Sequence, residues 1–160
     1  MRCGLSGETR PTNGDLGTGL SAGMPFRYAR CVGSRRPSAP VLVVEDNAET
    51  RDVLRMLLEI NGYAVEMARD GSEAIEYLRA GYPACLIILD LRMPIMDGWI
   101  LLRVLQADPY LTEIPAIAFS AFIEGELPGT IATVRKASVN PDVFLGLIER
   151  ACIQDGPPEQ

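Results

Sequence analysis

Apolar positions along this chain fall into two alternating rhythms. Val41 to Val44 and Cys85 to Leu89 are short unbroken apolar runs. Their length suits strands, and the lack of a polar side suits strands buried on both faces. Between them lies a helical rhythm, with Val53, Leu54, Leu57 and Leu58 on one face and Arg51, Arg55 and Glu59 elsewhere. The pattern predicts a helix from about Ala48 to Ile60. Asn47 caps its start and Asn61-Gly62 closes it with a left-handed turn.

The same alternation continues downstream. Tyr63 to Met67 reads as a second strand. Asp70-Gly-Ser-Glu73 is an N-terminal capping pattern for a helix through Ala74, Ile75 and Leu78 to Arg79. Gly81 and Pro83 end it. The run from Cys85, read as buried filler, stops at Asp90. After it come Pro94 and the turn signal Asp97-Gly98. A third helix is expected from Gly98 to Gln106, packing through Trp99, Ile100, Leu102 and Leu105. Ile114 to Ser120 is a fourth strand, with Pro115 near its start where proline is tolerated. Gly125, Pro128 and Gly129 make residues 121–130 a poor helix sequence. Ile131 to Arg135 is a fifth strand. Asn140-Pro141 opens a last helix to about Cys152, with Val143, Phe144, Leu147 and Ile148 for packing.

Strands alternating with helices through short links predict an α/β fold with a doubly wound parallel sheet. Polar groups close four of the strands: Glu45 and Asp46, Asp90, Ser120, and Lys136. In a parallel sheet these four ends share one edge, where ligands and chemistry gather.

Composition narrows the choices. A chain of 160 residues, 48% hydrophobic and 22% charged, suits one soluble globular domain. Residues 1–39 hold seven Gly and six Arg and lack periodicity, so they read as a disordered tail, with a transit peptide or a start at Met24 as the other readings. The domain is expected over 40–153 and a frayed tail over 154–160. Residues 40–160 carry nine basic and nineteen acidic side chains. So acidic a globule is a poor nucleic-acid binder, because phosphate contacts need cations. No apolar run has membrane-spanning length and no secretory segment stands out, so a cytoplasmic protein is expected. Cys3, Cys31, Cys85 and Cys152 show no metal spacing and are expected to be reduced thiols. The chain has no histidine, which excludes histidine acid–base chemistry and histidine metal sites, and Lys136 is its one lysine.

Three carboxylates at one sheet edge repel one another unless a cation sits among them. A few carboxylates with a backbone carbonyl suit a small hard ion such as Mg2+. A lysine reduces the repulsion and pairs with a phosphoryl group, and a hydroxyl donates a hydrogen bond to it. Together these groups make a phosphoryl-transfer site with a carboxylate nucleophile.

Four segments, in this order, carry a resemblance: Val-Leu-Val-Val-Glu45-Asp46-Asn47, Leu-Asp90-Leu-Arg-Met-Pro-Ile-Met-Asp97-Gly98, Phe-Ser120-Ala121 and Arg-Lys136. Over about residues 40–153 the chain resembles the receiver domain of two-component response regulators. The resemblance implies a flavodoxin-like five-stranded sheet in the order 2-1-3-4-5. It implies that Asp90 accepts a phosphoryl group from a histidine kinase or a histidine phosphotransfer protein. Glu45, Asp46 and Asp90 would hold Mg2+ with the Arg92 backbone carbonyl, and Ser120 and Lys136 would contact the phosphoryl group.

Two departures stand out. The stretch from Ser120 to Lys136 is about six residues shorter than the family's, roughly a turn and a half of helix. The fourth helix is therefore expected to be short or absent, leaving an apolar patch for a partner or a homodimer. Thr133 stands where the family usually has a switch aromatic. Second, Ala137 replaces the proline that usually follows the lysine through a cis bond. A cis bond before alanine would cost about 3–4 kcal/mol, so a trans bond is expected and the reach of Lys136 to the site stays open.

Function then reads as a single-domain, non-enzymatic phosphoacceptor that signals by protein–protein contact. The alternative is a receiver-like binding module that works without phosphorylation. An enzyme on small phosphorylated substrates is the weakest reading, since no second acid–base carboxylate stands two residues after Asp90; Arg92 does.

Overall fold

A computed structural model describes residues 37, 39–123, 125 and 127–152. The tails read from the sequence lie outside the described residues, apart from Pro37 and Ala39; Cys152, in the domain, is the last residue described.

Five strands, β1 (Val41–Val44), β2 (Val65–Ala68), β3 (Leu86–Leu89), β4 (Ala116–Ser120) and β5 (Ala132–Arg135), form one parallel sheet in the order β2-β1-β3-β4-β5. Four helices connect or follow them: α1 (Ala48–Ile60), α2 (Gly71–Arg79), α3 (Gly98–Ala107) and α4 (Pro141–Cys152). A single 3₁₀ turn, Lys136–Ser138, joins β5 to α4. This is the flavodoxin-like doubly wound sheet expected from the sequence. Among the described residues of 121–131 there is no helix.

Strand periodicity splits the core in two. Val41 and Val43 of β1, Leu86 and Ile88 of β3, and Ile117 and Phe119 of β4 face α1 and α4, where Leu54, Leu58, Phe144 and Ile148 meet them. The intervening residues Leu42, Val44, Ile87, Leu89, Ala116 and Ala118 face α2 and α3, through Ala74, Ile75, Leu78, Leu101, Leu102 and Leu105. β1, β3 and β4 are buried along their whole length, as their unbroken apolar runs require. The edge strands β2 and β5 are only part-buried.

Local caps set the helix starts. Asn47 accepts the Thr50 N–H at 2.8 Å, Asp70 accepts those of Ser72 and Glu73, and Asn140 accepts that of Asp142 at 2.9 Å. Gly62 (φ 85°) closes α1 in the left-handed region that its missing Cβ permits.

Several side chains depart from the sequence-based expectation. Val53 and Val143 point outward instead of into the core, so the buried stripes of α1 and α4 are narrower than the apolar stripes. Trp99 is exposed at the start of α3, and the neighbouring Leu101 takes the core position. Cys85 is part-exposed and precedes β3 rather than filling it. The patch expected beside β4 and β5 is only partly apolar. Leu127 folds in and is buried, whereas β5 presents Thr133 and Arg135 on the uncovered face. Phe122 and Ile131 are the large apolar residues left exposed in that connection.

Candidate functional site

The register of the sheet brings the expected residues to one edge. Val44 pairs with Leu89, so Glu45 and Asp90 follow side by side. Ser120 ends β4 opposite Arg135, so Lys136 follows at the same level.

Asp90 is 7% exposed and each of its oxygens is engaged. Ser120 donates its hydroxyl to Oδ1 at 2.8 Å, and the Arg92 N–H donates to the same oxygen at 3.2 Å. Lys136 Nζ lies 2.6 Å from Asp90 Oδ2 and 2.6 Å from Glu45 Oε2. The question left open at Ala137 is thus answered: the 3₁₀ turn that begins at Lys136 carries its ammonium to both carboxylates. Glu45 is 1% exposed, and its Oε1 accepts the Asn47 N–H at 3.3 Å. Asp46 is exposed beside it.

Charge governs this arrangement. Burial pushes the Glu45 carboxyl above its usual range; Lys136 opposes the rise and the Asp90 charge adds to it. For Lys136, burial alone would lower the pKa, but the bonds to Asp90 and Glu45 outweigh it and hold the ammonium protonated. One lysine shared by two buried carboxylates leaves them under-neutralised. Carboxylate oxygens of Glu45, Asp46 and Asp90 lie within 4.8 Å of one another. An all-oxygen donor set, partly open at Asp46 and short of positive charge, fits Mg2+.

The titration of Glu45 has a definite sign. Its raised pKa means that the metal-free fold takes up this proton more readily than the unfolded chain. The stabilisation is therefore present below the ordinary value of 4.5 and is lost as pH rises through the folded pKa. Glu45→Gln, which mimics the protonated form, is expected to melt higher than the wild type at neutral pH in chelator. The difference should vanish toward the ordinary glutamate pKa, a trend that paired melting curves over pH will check.

The loop after Asp90 is fixed from several sides. Leu91 and Met93 are buried in the α2/α3 side of the core. Asp97 caps α3 by accepting the Ile100 N–H at 2.8 Å. The Gly71 N–H donates to the Met96 carbonyl, and the Gly98 N–H to that of Leu91. A Cβ at Gly98 would collide with the Asp90 carbonyl oxygen and come within 2.6 Å of Leu89 Cδ1. Gly98→Ala is therefore expected to destabilise the fold by about 3 kcal/mol, the upper end for overpacking against backbone, measured by urea denaturation.

Two contributors were missed by sequence reading. Arg51, placed by the sequence only off the apolar face of its helix, donates to the main-chain carbonyls of Glu45 at 2.7 Å and Asp46 at 3.3 Å, holding the β1–α1 loop. Its place four residues after Asn47, the helix cap, was the available signal. The Arg92 guanidinium lies over the Phe122 ring, 4.5 Å from its centroid, joining the loops after β3 and β4. No local pattern announces that contact.

The family model for the response regulator receiver domain matches residues 41–135. The chain belongs to this family. Receiver domains are phosphoacceptor signalling modules rather than enzymes, and histidine kinases are their class of partner. The acidic cluster of this receiver domain is positioned for phosphorylation and for Mg2+ coordination.

An uncharacterised 14.6 kDa protein of Leptolyngbya boryana is 32% identical over 122 residues, 73% of this chain and 92% of that protein. The response regulator MprA of Mycobacterium ulcerans is 43% identical over 70 residues, 44% of this chain and 30% of MprA. The match therefore spans less than a third of MprA. Among solved structures, the signal receiver domain of a signal transduction histidine kinase from Syntrophus aciditrophicus superposes with a TM-score of 0.65 at 27% identity. That match covers 77% of this chain and 98% of the other. Chemotaxis protein CheY4 of Vibrio cholerae gives 0.63 at 26% identity, covering 71% and 98%. No helix among the described residues is long and apolar enough to cross a membrane.

Proposed function

We propose that Asp90 is the phosphoacceptor and takes its phosphoryl group from the phosphohistidine of a histidine kinase or a histidine phosphotransfer protein. The observation that carries this reading is the convergence of Ser120, Lys136 and the Arg92 N–H on one buried carboxylate beside Glu45. A carboxylate oxygen of Asp90 attacks the phosphorus, and the nitrogen of the donor imidazole leaves with the bonding pair. Little covalent chemistry is asked of the protein beyond placing charge. Lys136, already charged, turns from Asp90 toward the transferred group, and the Ser120 hydroxyl donates to a phosphoryl oxygen. Glu45, Asp46, Asp90 and the Arg92 carbonyl would hold Mg2+, which supplies the charge that neutralises the incoming phosphoryl oxygens.

In this reading residues 40–153 are the receiver unit and signal by contact with a protein target or a second copy. A cytoplasmic location goes with an ATP-fed kinase as donor. The connection between β4 and β5, which has no helix among its described residues, and Thr133, exposed on β5, favour a second reading, a module that binds its partner regardless of phosphorylation. Phosphotransfer profiling against purified phosphorylated histidine kinases tests the first reading. Transfer within seconds from one kinase, lost in Asp90→Asn, is expected. Partner binding by Asp90→Asn at unchanged affinity, without transfer from any donor, would favour the second.

A further inference from the structure

A second cluster of reactive side chains lies at the opposite edge of the sheet. Cys85 directly precedes β3, and its N–H donates to the Pro40 carbonyl at the entrance of β1. Cys152 stands in the last turn of α4, which packs on β3. Both residues pack against the same apolar cluster, built on Leu86, Phe144 and Ile148. Both are free thiols and part-exposed, and the Cys85 side chain stands near enough to Cys152 to push its thiol pKa up. They are therefore sulfur neighbours although 67 positions apart in sequence. Tyr63 and Glu149 border the pair, and burial raises the Tyr63 pKa.

We propose that Cys85 and Cys152 form a reversible intramolecular disulfide, a peroxide-sensitive latch that ties the end of α4 to the start of β3. The chemistry balances with a hydroperoxide as oxidant. The Cys85 thiolate attacks the peroxide oxygen, forming a sulfenic acid and releasing the other oxygen as water or alcohol. The Cys152 sulfur then attacks the Cys85 sulfur. An S–S bond forms, and the sulfenic hydroxyl leaves as water with the Cys152 proton. Two electrons pass from the sulfurs to the peroxide. The neighbouring Cys85 side chain and burial both push the Cys152 thiol pKa up, so Cys152 stays protonated until that second step. The latch lies about 16 Å from Asp90 along β3, five residues at strand rise, so it does not touch the acceptor. Closing it restrains the unfolded chain and fixes α4 on the sheet.

The test uses the full chain carrying Cys3→Ser and Cys31→Ser, which leaves this pair alone. Hydrogen peroxide treatment, non-reducing digestion and mass spectrometry are expected to show one peptide pair joined through Cys85 and Cys152. The intact chain loses two hydrogen atoms, melts at a higher temperature, and reverts with dithiothreitol. Adding Cys152→Ser abolishes the joined peptide. The proposal is overturned if folded protein keeps both thiols alkylatable after peroxide. It is equally overturned if the two sulfurs gain oxygen without joining, or if the crosslink runs between two chains.

Discussion

Asp90→Asn is expected to remain folded, take up no phosphoryl group and bind Mg2+ at least about tenfold more weakly, the scale on which changes around a metal site act. The carboxamide oxygen still accepts from Ser120 and the Arg92 N–H, so two of the three bonds at this position survive. The third is lost, but Lys136 keeps Glu45 at 2.6 Å. One negative charge leaves a site that holds more acidic than basic groups, which offsets the lost ion pair. Stability should therefore change by no more than about 1 kcal/mol in metal-free buffer. Chemistry is affected far more, because an amide oxygen is too weak a nucleophile to open a phosphoramidate bond. Calorimetric titration with Mg2+, urea denaturation and phosphotransfer assays separate these three effects. A variant that unfolds would show Asp90 to be chiefly a structural group.

Lys136→Ala should act in the opposite way, on stability as well as on chemistry. Its ammonium is the cation bonded to both Glu45 and Asp90, whose side chains are 2% and 9% exposed. Without it, two buried carboxylates face each other uncompensated. Breaking such a pair typically costs 3–5 kcal/mol, and about 3 kcal/mol is expected here because the lysine side chain is itself 22% exposed. Saturating Mg2+ supplies replacement charge and should recover most of the loss. Phosphoryl uptake should remain slower by about a hundredfold, the size of effect seen when a positioned donor is removed from a transition state. Denaturation curves with Mg2+ and with chelator decide the point. An equal loss in both would mean that the lysine stem, through packing, matters more than its charge.

The sequence was most informative where the cause is local. The unbroken apolar runs of β1 and β3 have no polar face to expose, and burial on both sides follows. Asn47, Asp70 and Asn140 satisfy N–H groups two or three residues ahead, so each helix start was readable within a few positions. The carboxylates after β1 and β3 were legible because a parallel sheet sends every strand end to one edge. What could not be read depends on contacts between distant segments. Whether Lys136 reaches Glu45, 91 positions away, is set by the turn that Lys136–Ser138 adopts after β5. Val53 and Trp99 sit at helical spacing with core residues, but they lie outside the buried stripes of their helices and are exposed. The meeting of Cys85 with Cys152 depends on how α4 lies across β3, and no single window of sequence contains it.

The central claim is that the cluster around Asp90 is a working Mg2+-dependent phosphoacceptor. Its most direct test is the intact mass of the wild-type chain after incubation with acetyl phosphate, with Mg2+ and with chelator, beside an active reference receiver. A gain of one phosphoryl group in Mg2+ alone, mapped to Asp90 after borohydride trapping of the acyl phosphate, is the predicted result. No gain on folded, Mg2+-loaded protein, with no transfer from any phosphorylated histidine kinase either, would contradict the claim.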